Sequence, residues 1–262
     1  MIGVFDSGLG GLIVAKEILK RVNSPILYFG DTAHLPYGTK SKKAILNFSQ
    51  KNTEFLIKKG AKIIVVACNT SSAVAGDFLK RKYKIPIFDV IDPVVEKLYF
   101  KSKTKQIKKV GIIGTPTTIK SGIYQNKIKK IFGNQIKVYL KACPLLVPLI
   151  EEGWIYHKVT KEVLKEYFLP LKKKKTEALI LGCTHYPLVK DLILKEIGEK
   201  VEILDSAKEV ALKLEKFLKN NKIIKEKKKE IKIFLSDEGY NFEKMIKIIF
   251  KKPLSHKIIN PL

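Results

Sequence analysis

At 262 residues the chain is long enough to bury a hydrophobic core and to divide into two small domains. Its apolar residues, 45% of the total, form no run near 18 in length, and the opening MIGVFDSGLGG has no basic stretch ahead of an apolar one, so a soluble cytoplasmic protein with no membrane span or signal peptide is expected. Three widely spaced cysteines make no disulfide framework, and the charge of +26 is nearly all lysine, with Arg21 and Arg81 the only arginines, which disfavours nucleic acid as the main partner because guanidinium is the group that reads bases and phosphates.

Strand-like apolar runs alternate with amphipathic stretches along the whole chain. A strand at 2–5 ends in Asp6-Ser7-Gly8, and a helix over 12–22 follows, with Leu12, Ala15, Ile18, Leu19 and Val22 at helical spacing. The strand at 26–29 ends in Gly30-Asp31. Ser41 is placed to cap a helix running to Lys59, which Gly60 would end. A strand at 63–67 runs into Cys68-Asn69-Thr70, and another is expected at 85–90. The crossover to a second half falls near Asp92-Pro93, because proline cannot continue a strand interior.

In the second half, strands are expected at 110–113, 137–140, 178–181 and 201–204, the third running straight into Gly182-Cys183-Thr184-His185. After Asp205-Ser206 come a helix, a charged link over 220–230, a strand at 231–235 and a last helix over 240–250. That tail is expected to return to the first unit. The fold class is therefore α/β, with two similar α/β domains of mostly parallel strands and an active site in the cleft between them. The expected domains are 1–92 plus 206–262, discontinuous, and 93–205.

An internal echo supports two similar units. The strand before Cys68 matches the strand before Cys183, and the polar turn at Asp6-Ser7-Gly8 matches the turn at Gly114-Thr115-Pro116-Thr117. Cys143, inside the apolar stretch 142–147, reads as a small core residue. Cys68 and Cys183 read differently, because the hydroxyl and amide groups beside them would be costly to bury without partners. With no C-x-x-C spacing a local zinc site is not expected, although a metal shared by Cys68, Cys183 and His185 stays open, as does a redox pair. Two thiols on opposite sides of one carbon could also take a proton from one face and return one to the other.

The ordered set Asp6-Ser7-Gly8-Leu9-Gly10-Gly11, Gly30-Asp31, Pro36-Tyr37-Gly38, Cys68-Asn69-Thr70, Gly114-Thr115 with Thr118 and Ser121, and Gly182-Cys183-Thr184-His185 resembles the signature of the cofactor-independent aspartate and glutamate racemases, most closely those acting on glutamate. The resemblance implies that Cys68 and Cys183 are the acid/base pair, with Asp6 assisting the first and His185 the second. Ser7, Tyr37, Gly38, Asn69, Thr70 and Thr184 fall at its substrate-contacting positions, together with Asp6 and His185. It implies no cofactor and no metal, glutamate as substrate, a part in peptidoglycan synthesis, and a homodimer. Aspartate or another amino acid remains the alternative substrate. Asp6 as a turn residue and His185 as a structural imidazole stay open, and Thr115 and Thr118 could line the cleft or cap a helix. Glu151 is a weaker candidate. Ile13 stands where relatives often carry Thr or Ser, a departure that concerns helix packing.

Overall fold

Strands separated by helices pair in parallel, because only a crossover returns the chain to the edge from which it left. The computed structural model describes residues 1–223, 229–238 and 241–259. Its strands are β1 (Ile2–Asp6), β2 (Ile26–Gly30), β3 (Ile63–Val66), β4 (Ile87–Asp89), β5 (Lys109–Gly114), β6 (Lys137–Ala142), β7 (Ala178–Gly182), β8 (Glu202–Asp205), β9 (Ile231–Leu235) and β10 (His256–Ile258). The helices are α1 (Gly11–Arg21), α2 (Lys42–Lys58), α3 (Asn69–Lys82), α4 (Ile91–Lys105), α5 (Pro116–Lys120), α6 (Ile123–Phe132), α7 (Leu146–Glu151), α8 (Lys158–Lys173), α9 (Lys190–Ile197), α10 (Ser206–Asn220) and α11 (Phe242–Phe250).

Two sheets result, ordered β10-β9-β2-β1-β3-β4 and β6-β5-β7-β8, and every pairing is parallel. β1, β2, β3 and β7 are buried along their whole length, as near-continuous apolar runs with helices on both faces must be. β9 pairs with β2 through Ile26 and Ile231, so the tail strand lies on the first sheet. α10 packs on both α1 and α4, and one apolar cluster runs from Val4 and Leu12 through Leu214 to Leu181 and Tyr186. Each such side chain, wholly buried, contributes roughly 1.5–3 kcal/mol.

Local chemistry sets the element ends. Ser41 Oγ accepts from Ala44 N at 3.2 Å and starts α2, while Gly60, at φ +94°, ends it in the left-handed region that favours glycine. The strand expected over 85–90 is only Ile87–Asp89, and it stops before Val90 because Asp89 Oδ1 accepts from the N–H groups of Ile91 and Asp92 and so caps α4. Asp92-Pro93 consequently lies in the first turn of that helix, where proline lacks nothing the helix needs. The crossover is α4 itself. The strand expected at 201–204 sits one residue later, and β10, short and poorly buried, has no alternation by which to be found. Tyr240 of the last expected helix, positions 224–228 of the charged link and the end of the tail at 260–262 lie outside the described residues. Among the described residues no helix is long and apolar enough to cross a membrane.

Candidate active site

In each sheet two adjacent strands end side by side and hand their next residues to the same place. β1 pairs with β3 through Phe5 and Val66, and Ala67 N donates to Phe5 O at 2.9 Å, which carries Cys68 to the end of β1 beside Asp6. β5 pairs with β7 through Gly114 and Gly182, one residue before Cys183. The two thiols thus stand at the carboxyl ends of strands from different sheets, where open α/β sheets bind ligands. Both line one cavity of about 430 Å³, within the usual size of a small-molecule site.

On the first side, Asp6 is fully buried and its Oδ2 accepts from Gly8 N at 3.0 Å. Its Oδ1 has no hydrogen-bond partner among the described residues. Burial pushes the Asp6 carboxyl up, against the pull of the charge on His185 and of the Gly8 and Gly11 N–H groups. Cys68 caps α3, its sulfur accepting from Ser71 N at 3.5 Å and lying 3.8 Å from Ser7 Oγ. Burial, then the charge of Asp6, push the Cys68 thiol up to about 12, while Ser71 and Ser7 draw it back.

On the second side, Cys183 Sγ lies 3.7 Å from His185 Nδ1, and His185 Nε2 lies 3.0 Å from Glu151 Oε1. Burial alone would lower the imidazole. The sulfur and the Glu151 carboxylate outweigh it and raise His185 well above an ordinary histidine. An imidazolium so placed donates from both nitrogens, to sulfur and to carboxylate. The turn after β1 reaches this group too. A Cβ on Gly10 would stand 2.4 Å from His185 Cε1 and 2.6 Å from Thr184 Oγ1, so only glycine allows the approach.

Ser7, Tyr37, Gly38, Asn69, Thr70, Thr184 and His185 all line the cavity, as does Thr115. Asp6 does not, and stands behind the wall. Thr115 is both a cap and a lining residue: its Oγ1 accepts from Thr118 N at 3.4 Å and lies 2.9 Å from Thr70 Oγ1. Thr118 is buried behind it, 3.2 Å from Thr70 Oγ1. The Tyr37 hydroxyl donates to Asp31 and accepts from Asn52 Nδ2 at 3.1 Å, so it is already engaged and offers the cavity its ring and backbone. Glu151, a weak candidate by sequence, is the partner of His185 across 34 positions, a relation no local spacing could show. No local pattern points to Tyr124 and Ser206, which hold the Asn69 amide at 2.7 and 3.3 Å. Among the described residues no lysine or arginine lines the cavity. Cys143 is wholly buried, with Lys141 O 3.7 Å from its sulfur, and is not part of the lining. The cysteines are free, and among the described residues no group of three or more His, Cys, Asp or Glu side chains is placed to hold a metal ion.

The Asp/Glu/Hydantoin racemase family matches residues 13–214. A glutamate racemase from Aquifex aeolicus is 44% identical over 258 residues, covering 98% of this chain and 96% of that protein. Among solved structures, a glutamate racemase isoform from Bacillus anthracis superposes with a TM-score of 0.93 at 34% identity, over 99% of this chain and 97% of that one. The glutamate racemase from Francisella tularensis, in complex with D-glutamate, gives 0.90 at 38% identity over the same shares.

Proposed function

The chain belongs to the Asp/Glu/Hydantoin racemase family, and from that premise we propose that it interconverts L- and D-glutamate by proton transfer at Cα between Cys68 and Cys183. The reaction supplies D-glutamate for peptidoglycan. One sulfur, as thiolate, takes the Cα proton and becomes a thiol, leaving an electron pair on Cα that spreads into the α-carboxylate. The other, as thiol, delivers a proton to the opposite face and becomes a thiolate. Charge and protons balance, nothing is oxidised, and the two sulfurs end with exchanged protonation.

The supporting groups divide by side. The charged His185 ring donates to Cys183 and stabilises negative charge on that sulfur as it forms, with Glu151 holding the ring. Asp6 faces Cys68 from behind the cavity wall, and its charge favours the protonated sulfur. The neutral donors Ser7, Thr70 and Thr184 suit the substrate carboxylates, where preorganised dipoles stabilise charge developing on deprotonation. Both transfers use the protein's own side chains and call for neither a cofactor nor a metal. One observation carries the mechanism: sulfurs 115 positions apart, each just past the end of a strand in a different sheet, line the same cavity.

Optical rotation of L-glutamate mixed with the protein tests it. Decay to zero rotation is expected, and Cys68→Ser and Cys183→Ser should each abolish it; a serine variant that racemises at full rate removes that sulfur from the reaction. The relatives named above favour glutamate over aspartate, and competition between the two amino acids measures the preference. The division into 1–92 plus 206–262 and 93–205 is part of the proposal, supported by the strand membership of the two sheets. So are a homodimeric assembly and a cytoplasmic location.

A further inference from the structure

β3 and β7 share no hydrogen bond, because they belong to different sheets, so the backbone ladders do not fix the separation of the two thiols. Side chains must do so. Asn69 directly follows Cys68, and both ends of its amide are engaged: Tyr124 OH donates to Oδ1 at 2.7 Å, and Nδ2 donates to Ser206 Oγ at 3.3 Å. Each partner leads to the end of β7. Ser206 Oγ donates to Leu181 O at 3.2 Å. The Tyr124 ring lies on Gly182, its Cε2 3.4 Å from where a Cβ would stand. All three side chains are buried.

Resting on the two-thiol mechanism, we infer that Tyr124 and Ser206 are positioning residues, two struts that join the residue after Cys68 to the two residues before Cys183 and set the distance between the sulfurs. Hydrogen bonds are suited to this because they are directional, whereas apolar packing would hold the segments together without fixing their angle. A buried amide that loses one partner must find another, and the Cys68 turn moves with it. The separation matters because each sulfur must reach the same Cα from its own face, and a misplacement of about 1 Å costs on the order of 10²-fold in rate.

Tyr124→Phe removes the hydroxyl and keeps the ring on Gly182; Ser206→Ala removes the other strut. Racemisation in D2O, followed by NMR and optical rotation, separates inversion from exchange of the Cα hydrogen with retention. When the second sulfur is out of reach, the first returns a solvent-derived deuteron to the face it came from. For Tyr124→Phe the expected result is inversion slower by about tenfold or more with KM changed less than about threefold, and a ratio of retained exchange to inversion raised at least about fivefold. Ser206→Ala should move the ratio the same way, by less. Loss of both processes in proportion is the mark of a merely structural role and overturns the inference, as does a full inversion rate in Tyr124→Phe. If Tyr124→Phe does not fold, the ratio in Ser206→Ala decides alone. Failure of the mechanism itself has a separate signature: racemisation surviving in Cys68→Ser or Cys183→Ser.

Discussion

The two thiols are alike in backbone setting and unlike in chemical company. Each follows a buried parallel strand and lies beside the end of a neighbouring strand, β1 for Cys68 and β5 for Cys183. Where β1 ends in Asp6, however, β5 ends in Gly114. Where His185 follows Cys183 by two positions, Thr70 follows Cys68. The carboxyl of one half and the imidazole of the other occupy non-equivalent places, so the repeat supplies the scaffold and each half sets a different titratable group beside its thiol. The segments leading away differ too. Cys68 caps the fourteen-residue helix α3, whereas Cys183 enters a short 3-10 turn at Tyr186–Val189 before α9. A racemase needs two faces of equal reach, and the two halves reach that end with different side chains.

The strongest way to break this picture is to remove a sulfur. Cys68→Ser and Cys183→Ser are each expected to lower kcat by about 10³-fold or more, since a hydroxyl is a far weaker acid than a thiol and general acid/base transfer contributes about 10²–10⁴-fold. Asp6→Asn and His185→Asn come next, at on the order of 10²-fold each. Their informative difference lies in the primary isotope effects on kcat/KM with α-deuterated L- and D-glutamate. Asp6→Asn should make transfer at Cys68 more rate-limiting and raise the isotope effect for one enantiomer; His185→Asn should raise it for the other. A shift in the same sense for both variants would show that the two groups serve one face, and the comparison would fail.

Glu151→Gln is a smaller change, expected to cost about tenfold. Its carboxylate helps to hold His185 well above an ordinary histidine, so without it the imidazolium is lost at lower pH. The alkaline limb of the kcat profile should therefore move toward acid in the variant. An unmoved limb would mean that His185 owes its charge to Cys183 alone.

Much of the site was legible because it is written locally. Cys68-Asn69-Thr70 and Cys183-Thr184-His185 each follow an apolar run within one stretch, and the carboxyl end of a parallel strand is where such a sheet presents groups to a ligand. Ser41 and Gly60 were legible for the same reason, as cap and stop of one helix. What failed to show was relational. Glu151 meets His185 from 34 positions away, and Tyr124 meets Asn69 from 55. Ser206 reaches Asn69 across 137. No periodicity carries such pairs. Asp89 misled the strand assignment because a capping carboxylate at the end of an apolar run ends the strand sooner than hydropathy indicates.

Cys143 sharpens the comparison last, by the smallest effect. Burial pushes Cys68 and Cys143 alike up to about 12, yet only Cys68 has a hydroxyl beside its sulfur and a place on the cavity wall. Both folded thiols hold their protons more tightly than the unfolded chain does, so their contribution to stability is complete below about pH 9 and is lost as pH rises toward 12. Unfolding by urea at pH 8 and pH 10 should show stability falling with pH, and Cys68→Ser and Cys143→Ser should each flatten the fall by up to about 1.4 kcal/mol per pH unit. A slope unchanged in both variants would place the alkaline loss elsewhere. Racemisation is expected to stay within about twofold in Cys143→Ser, where the serine Oγ can still bond Lys141 O, and to vanish in Cys68→Ser. Equal titration with opposite activity would show that a raised thiol marks burial, and that the cavity and its neighbours, not the shift, make Cys68 an acid and base.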